Sequence, residues 1–237
     1  MFDRHFVWPA WLQRLRPPST CHICEAWPSA AFCESCVQQF GQPIARCTTC
    51  AMPAIGNQCM PCHDAPPPLD RCLTAMTYGH PWSECIAKLK FHGDVGLARP
   101  LAQLLRNAPW VEPALDKADR VIPIPLSASR LRERGFNQAY ELGKHLAPTK
   151  ADARSLWRLE HASHQVGATR LERLAQAHNT FWIDPTRIPA LHGTRVVLLD
   201  DVMTTGATMF EAARTLRKAG VTHITGVVFA RAQLAES

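Results

Sequence analysis

The sequence contains no run of about 18 apolar residues, the length that a membrane-spanning helix needs. Its first segment, residues 1–20, is amphipathic and interrupts its aromatic residues with Arg4, His5 and Pro9, so it lacks the continuous apolar core of a secretory signal. We therefore expect a cytoplasmic protein without a membrane span, whose thiols stay reduced. The 237 residues, 46% of them hydrophobic, suffice for one sizeable core and a small accessory module.

Cysteine is concentrated near the N-terminus, where eight of the ten cysteines form four CxxC pairs. The two thiols of such a pair can contact one ion, and two pairs complete a closed tetrahedral shell of thiolates, as in structural Zn²⁺ sites. The expected compartment disfavours a disulfide framework, and a redox CxxC would be a single motif that opens a helix. The sequence therefore predicts two structural zinc ions.

The spacing of the pairs indicates how they share the metal. Eight residues separate the first pair from the second and the third from the fourth, whereas ten separate the middle two. This repeat favours two sequential ribbons within residues 21–65, although a cross-braced arrangement also satisfies the spacing. Cys72 and Cys85 are left over, and we expect them to be buried. The predicted ligands are Cys21, Cys24, Cys33 and Cys36 for one ion and Cys47, Cys50, Cys59 and Cys62 for the other.

Zinc also changes the charge of the protein. The formal net charge is +6, and eight thiolates with two Zn²⁺ ions add −4, which leaves +2. The net charge of the loaded protein therefore does not indicate a nucleic-acid ligand. The distribution is more informative, because residues 120–173 carry ten Lys or Arg against five Asp or Glu. Such a segment is either a solvated face or a surface for a polyanion.

After the proline-rich spacer HDAPPPLDRC, the chain alternates between stretches typical of strands and of helices. Short apolar runs such as VIPIP, RVVLLDD and HITGVVFA predict strands, and this alternation predicts an α/β domain with a mainly parallel sheet over residues 70–237. Three helices are predicted from apolar residues on one face: Leu97, Leu101, Leu104 and Leu105; Ala139, Leu142 and Leu146; and Met209, Ala212, Ala213 and Leu216.

The stretch VVLLDDVMTTGAT, residues 196–208, places an apolar strand directly before two aspartates and a loop of small residues. Such a strand belongs in the middle of a parallel sheet, whose carboxyl end is where open α/β folds bind ligands. The loop runs into a helix N-terminus, which favours a phosphate. Asp200 and Asp201 would repel that phosphate, so we expect them to bind neighbouring hydroxyls, as in a ribose diol. An acid pair that only caps a strand would not explain the loop.

This stretch resembles the phosphoribosyl pyrophosphate (PRPP) motif of type I phosphoribosyltransferases over its whole length. The resemblance implies that the two acids hold the ribose hydroxyls, that the loop holds the 5-phosphate, and that Mg²⁺ accompanies PRPP. It also implies a parallel sheet flanked by helices. The predicted PRPP-binding residues are Asp200, Asp201, Met203, Thr204, Thr205, Gly206, Ala207 and Thr208.

Three further stretches are similar to the ComF family, whose phosphoribosyltransferase-like members are associated with natural competence and DNA uptake. They are VIPIPLSASRLRERGFNQA from Val121, KLKFHGD from Lys88, and the four CxxC pairs. A later stretch, HQVGATRLERLAQAHNTF, is similar to the mobile loop of that family. The resemblance implies contacts to diphosphate, or alternatively to DNA, by Arg130, Arg134, Asn137, Gln165 and Arg173.

Three functions follow from these features. The first is a ComF-like competence factor that binds a PRPP-type ligand and single-stranded DNA and works with DNA-uptake proteins. The second is a phosphoribosyltransferase of nucleotide salvage or biosynthesis, and the third is a nonenzymatic regulator that senses PRPP. The residues identify neither a general base nor an acceptor, so transfer of a pentosyl group is an expectation from the resemblance only.

Overall fold

The computed structural model describes residues 19–159 and 180–233, which divide into two compact units with the boundary between Phe40 and Gly41. The described part of the first unit is mostly loop. Ser19 and Ser29 form an antiparallel bridge, and one helix, α1 (Glu34–Phe40), follows. Phe32 and Cys36 are buried, so the unit has only a small apolar centre.

The second unit is built on a parallel sheet of four strands, counted over the described residues, in the order β1, β6, β5, β2. The strands are β1 (Arg71–Thr77), β2 (Arg120–Pro123), β5 (Arg195–Met203) and β6 (His223–Arg231). The two central strands are buried along almost their whole length, as expected for strands covered on both faces. The parallel sheet predicted from the apolar runs is confirmed.

Helices cover this sheet, and most of their buried residues lie on the predicted apolar faces, although Leu97 precedes its helix in a 3-10 turn and Leu104 is half-buried. In the helix after β5, Met209, Ala212, Ala213 and Leu216 are all buried. The α/β class is therefore confirmed. The helices are α2 (Met60–Asp64), α3 (Trp82–Phe91), α4 (Ala98–Asn107), α5 (Val111–Lys117), α6 (Ala128–Arg134), α7 (Gln138–Leu146), α8 (Ile188–Leu191) and α9 (Ala207–Lys218).

The third and fourth CxxC pairs pack into the core of the second unit. Cys47, Cys50 and Cys62 are buried in the same apolar cluster as Leu69 and Met203. The backbone also joins the two parts, because the Cys72 N–H donates to the Thr48 carbonyl at 2.8 Å. The second cysteine group is thus a part of the α/β unit, whereas the sequence-based boundaries place it in a module of residues 21–65.

A short antiparallel pair, β3 (Trp157–Arg158) and β4 (Phe181–Trp182), flanks residues 160–179. Gln165 and Arg173, two of the predicted diphosphate or DNA contacts, lie outside the described residues, as does most of the predicted amphipathic segment 1–20. Among the helices of residues 19–159 and 180–233, none is long and apolar enough to cross a membrane.

Candidate functional site

The two aspartates of β5 lie at the carboxyl end of the sheet, and a tight loop connects them to α9. Gly206 sits in the left-handed region with φ of +87°, and a Cβ there would be 2.6 Å from the Phe210 ring and 2.7 Å from the Met203 side chain. Only glycine therefore fits at this position. The Thr205 hydroxyl accepts a hydrogen bond from the Ala207 N–H at 3.3 Å. The loop shapes a small cavity of about 50 Å³ bounded by Asp200 and residues 202–209.

A larger cavity of about 270 Å³ adjoins the start of α9. Its lining includes Arg158 and Phe181 from the antiparallel pair and Thr208 and Arg214 from α9. The predicted phosphate loop is therefore next to a space large enough for part of a small organic ligand.

Asp201 is buried, with 2% of its surface exposed, and two side chains occupy its carboxylate. The Lys90 ammonium lies 2.6 Å from Oδ2, and the Gln138 amide donates to Oδ1 at 3.2 Å. A buried carboxylate needs such partners. Sequence reasoning missed both, although each lies within or beside a quoted ComF-like stretch. Asp201 therefore fixes the positions of the Lys90 and Gln138 side chains at the crevice.

Asp200 has a different environment from its neighbour. One of its oxygens accepts the Asp201 N–H at 2.9 Å, and the residue is partly exposed at the cavity of the loop. Burial and the adjacent negative charge of Asp201 raise the pKa of Asp200 well above its usual range. Asp200 is thus the acid of the pair that faces the cavity, and its raised pKa disfavours its ionised form.

Arg134 joins the network around Asp201. Its guanidinium donates to the Gln138 amide oxygen at 2.6 Å and lies over the Phe91 ring at 5.3 Å. The positively charged Arg134 is therefore linked through the Gln138 side chain to Asp201 of β5. The predicted contact Arg134 is brought to the crevice in this way.

The Asn137 side chain caps α7. Its oxygen accepts from the N–H groups of Ala139 and Tyr140, and its amide donates to the Ile124 carbonyl at 3.0 Å. These bonds hold the start of α7 against the end of β2. In this structure the Asn137 side chain therefore bonds to backbone groups and caps the helix.

Arg158 is a crevice residue that sequence reasoning missed. Burial and the positive charge of Arg130 lower its pKa, and the charge of Asp200 opposes that effect. Arg158 thus lies within electrostatic reach of both the predicted contact Arg130 and the acid of the cavity. The sequence signal was its membership of the basic segment 120–173, which did not distinguish it from the other cations there.

The eight paired cysteines form two groups, and in each group the four thiol sulfurs lie within 4.8 Å of one another. Zn–S bonds of about 2.3 Å in a tetrahedron place the sulfurs about 3.8 Å apart. The Cys24–Cys33 and Cys50–Cys59 sulfurs are 3.7 and 3.6 Å apart, which fits zinc and not a disulfide. The groups follow the sequential pairing, so the eight predicted ligands could hold two zinc ions.

The backbone prepares these thiols for metal. Burial raises the pKa of Cys21 and of Cys47, but hydrogen bonds from backbone N–H groups outweigh it and lower both values to about 6. One such bond runs from the Cys33 N–H to the Cys21 sulfur at 3.4 Å. Zinc binds thiolates, so these bonds favour the ligand form of Cys21 and Cys47, whereas burial raises the pKa of Cys36, Cys50 and Cys62.

One arginine connects the second cysteine group to the glycine loop. Arg231, the last residue of β6, is 2% exposed. Its Nε donates to the Cys50 carbonyl at 2.9 Å, and its Nη1 donates to the carbonyls of Met203 and Thr204. The guanidinium thus fixes the predicted PRPP loop to the metal-binding segment. The sequence signal was a charged residue at the end of an apolar strand, and sequence reasoning did not use it.

Comparison with known proteins agrees with this geometry. The phosphoribosyl transferase domain family matches residues 132–236. The chain is 29% identical over 218 residues to DNA utilization protein YhgH of Salmonella typhi, covering 87% of this chain and 94% of the relative. It is 33% identical over 144 residues to competence protein ComFC of Bacillus subtilis, covering 61% and 57%.

A third relative shows the family. Competence protein F of Haemophilus influenzae is 30% identical over 202 residues, which cover 81% of this chain and 86% of that protein. The resemblance that the sequence motifs indicated is confirmed, and the chain belongs to the ComF family.

Proposed function

We propose that the crevice at the carboxyl end of the sheet binds PRPP or a similar ribose 5-phosphate ligand. One observation carries the proposal: a loop that only Gly206 permits and a cavity-facing Asp200 meet at the end of one strand. The loop offers N–H groups and hydroxyls to the 5-phosphate, and Asp200 accepts from the ribose hydroxyls. Arg158 and Arg130 supply positive charge for the diphosphate.

Mg²⁺ suits this donor set, because it prefers carboxylate oxygens together with phosphate oxygens. Asp200 is the side chain that would contact it, and the bound ion would supply charge neutralisation for a diphosphate. The residues of this chain then orient the sugar: the loop holds one end, and the arginines hold the other. Lys90 and Gln138 hold the Asp201 carboxylate in place.

The relatives carry names that refer to DNA utilization and competence. We infer from them that this chain acts in DNA uptake and natural transformation in the cytoplasm, together with uptake proteins, and that it binds single-stranded DNA. The basic segment 120–173, with ten Lys or Arg against five Asp or Glu, is consistent with a polyanionic partner.

The cavity of about 270 Å³ beside the loop favours a second function, transfer of the phosphoribosyl group to a nitrogen nucleophile. The arginines would stabilise the departing diphosphate. Release of diphosphate from Mg²⁺ and PRPP only when a base is added would support this function. PRPP binding without any release would favour a PRPP-binding competence factor or sensor.

Calorimetry with Mg²⁺ and PRPP tests the site. Asp200→Asn should weaken binding by about 1 to 3 kcal/mol, since a charge-assisted hydrogen bond is lost, and Asp201→Asn by a similar amount. Thr208→Val should also weaken it. Asp116→Asn, which changes an exposed acid on α5, is the matched control and should bind like the wild type. No binding by the wild type, or equal binding by all variants, would refute the site.

A genetic assay tests the biological role. A deletion strain should lose transformation, and the wild-type gene should restore it. The Asp200→Asn, Asp201→Asn double variant should fail to restore it if the ligand site is required. Full restoration by that variant would separate the DNA role from the PRPP site.

A further inference from the structure

Two neighbouring cavities lie away from the PRPP crevice, toward the amino end of the sheet. The first, of about 320 Å³, reaches Arg195 and His223, the first residues of β5 and β6. The second, of about 240 Å³, runs along the edge strand β1 beside the second cysteine group. Asp200 lies five residues further along β5 than Arg195, a separation of about 16 Å along an extended strand. The two ligand regions are therefore distinct.

The two cavities share two lining residues, Arg71 and Trp110. The Arg71 guanidinium lies over the indole of Trp110 at 5.5 Å from the ring centroid. Trp110 is 62% exposed and adopts a left-handed backbone with φ of +68°, which is unfavourable for a large residue. An exposed tryptophan in a strained conformation, paired with an arginine, forms a stacking platform between the two cavities.

Positive charge dominates the lining of the two cavities. It includes four permanent cations, Arg46, Arg71, Lys117 and Arg195. The acid in the lining, Asp70, is held by Arg217 at 2.5 Å and by the Ile224 N–H at 2.6 Å. Burial lowers the pKa of His223 and, although Asp70 opposes this, the surrounding arginines lower it further. The field in this region therefore favours an anion.

We propose that these two cavities form a groove for single-stranded nucleic acid, in which bases stack on Trp110 and Arg71 and phosphates contact Lys117 and Arg195. The groove combines the two features that such sites need, a cationic track and an aromatic platform. Each cavity has the size of about one nucleotide, so adjacent nucleotides occupy the two sides of Trp110. This inference rests on the proposed DNA role and gives it a location.

The PRPP crevice is less suited than the groove to bind single-stranded nucleic acid. Arg134 is committed to Gln138 and Phe91, and the acidic pair lies at its centre. A strand in the groove leaves that crevice free. PRPP and DNA therefore bind together, whereas a DNA surface built from Arg130, Arg132 and Arg134 would make them compete.

Fluorescence anisotropy of a labelled oligothymidylate of about 15 nucleotides tests the groove with the full-length, zinc-loaded protein. Trp110→Leu should weaken binding about tenfold, because a stacking platform is lost. The Lys117→Gln, Arg195→Gln double variant should reduce the slope of log affinity against log salt by about 1.4, since two phosphate contacts to a single strand are lost. Both changes are at exposed side chains, so thermal unfolding should be unchanged.

Matched control variants show whether a loss of DNA binding is specific to the groove or follows from removing any exposed tryptophan or any two positive charges. Trp182→Leu removes another exposed tryptophan, and Arg154→Gln with Arg187→Gln removes two other positive charges; both should bind DNA like the wild type. Saturating PRPP with Mg²⁺ should not displace the strand. A free mononucleotide should compete only at far higher concentration.

Several results would overturn the groove. They are wild-type DNA affinity in Trp110→Leu, displacement of DNA by PRPP, or loss of the salt slope on replacing Arg130 and Arg132 instead. Equal affinity for a mononucleotide and a strand would assign the cavities to a free nucleotide. If the wild type binds no single strand at low salt, the DNA role and the groove both fail, while calorimetry of PRPP still decides the crevice separately.

Discussion

The two cysteine groups have the same internal spacing but different surroundings. The first, which begins at Cys21, lies in a small unit whose described buried residues are few, with Phe32 the largest apolar one. The second, which begins at Cys47, shares the apolar core of the α/β unit with Leu69, Cys72 and Met203. Identical ligand spacing therefore produces one self-contained ribbon and one ribbon that completes a larger domain.

The difference has a consequence for the predicted PRPP loop. Arg231 donates to the Cys50 carbonyl and to the carbonyls of Met203 and Thr204, so the second group and the loop share one buried guanidinium. Metal at the second group should therefore support ligand binding, and metal at the first should not.

Replacing ligands of one group at a time should give the largest effect. Cys47→Ser with Cys50→Ser should abolish the cooperative unfolding of the α/β unit, because structural zinc contributes about 10 to 16 kcal/mol in small modules and a domain is stable by only about 5 to 15. Cys21→Ser with Cys24→Ser should melt only the first unit. Calorimetric melting with metal analysis checks this, and equal losses in both variants would refute the contrast.

Arg231→Met should have the next largest effect. It leaves the Cys50 and Thr204 carbonyls without the guanidinium donor, while the Met203 carbonyl keeps the Ala232 N–H, and we expect a loss of about 1 to 3 kcal/mol of stability for a carbonyl left buried without a donor. PRPP affinity should fall as well.

Arg217→Met is the matched control for that change. Arg217 also donates to backbone carbonyls, those of Val221 and Thr222, and among the described residues its side-chain bonds reach neither the ribbon nor the loop. It should leave PRPP affinity unchanged. If Arg231→Met does not fold, Arg231→Lys should fold and bind PRPP more weakly than the wild type. Wild-type affinity in a folded Arg231 variant would show that the loop does not depend on this contact.

The two cysteine groups should lose their zinc ions at different rates when a chelator is added. The loaded protein should contain two zinc ions per chain. Cys24 in the first group is exposed, whereas Cys47, Cys50 and Cys62 in the second are buried. A chromogenic chelator should therefore remove one ion quickly and the other slowly, and Cys21→Ser with Cys24→Ser should eliminate the fast phase. A single fast phase of two ions would contradict the comparison.

The pH dependence of PRPP binding should give the smallest effect. The raised pKa of Asp200 means that the folded protein holds a proton that a diol or Mg²⁺ must displace, so affinity should rise as pH rises through that pKa and fall below it. The charged groups around it are Asp201, Lys90 and Arg158. Calorimetry in buffers of different ionisation enthalpy should detect the released proton.

The same shift predicts a change in stability. Because the pKa of Asp200 is raised on folding, its ionised form destabilises the fold above the unfolded-state pKa, and protonation relieves this. Asp200→Asn should thus raise the melting temperature slightly at neutral pH while abolishing the pH dependence of binding. Cys21→Ser with Cys24→Ser should keep the wild-type pH profile. A changed profile in that variant would link the first ribbon to the crevice.

Local patterns predicted much of this structure. The apolar runs gave the buried strands, the spacing of CxxC pairs gave the sequential groups, and the small residues after Asp201 gave the loop that needs Gly206. Each of these depends on residues close together in the chain. Such features are readable because strand burial, metal ligation and turn conformation have short sequence periods.

The partners that the sequence did not reveal come from distant segments. Lys90 meets Asp201 from α3, and Arg231 meets Cys50 across about three-quarters of the chain. The order of the strands decides these contacts, and periodicity carries no information about that order. For the same reason, the sequence did not predict that the second cysteine group packs against the sheet. The proline-rich spacer after this group indicated a module boundary instead.

Hydrogen exchange of the full-length protein tests most directly whether the second cysteine group belongs to the ligand-binding domain and the first does not. Peptides covering residues 196–206 should keep wild-type protection in Cys21→Ser with Cys24→Ser, and should lose it in Cys47→Ser with Cys50→Ser. Unchanged protection of those peptides in the second variant, or loss of protection in the first, would contradict the assignment of the two ribbons.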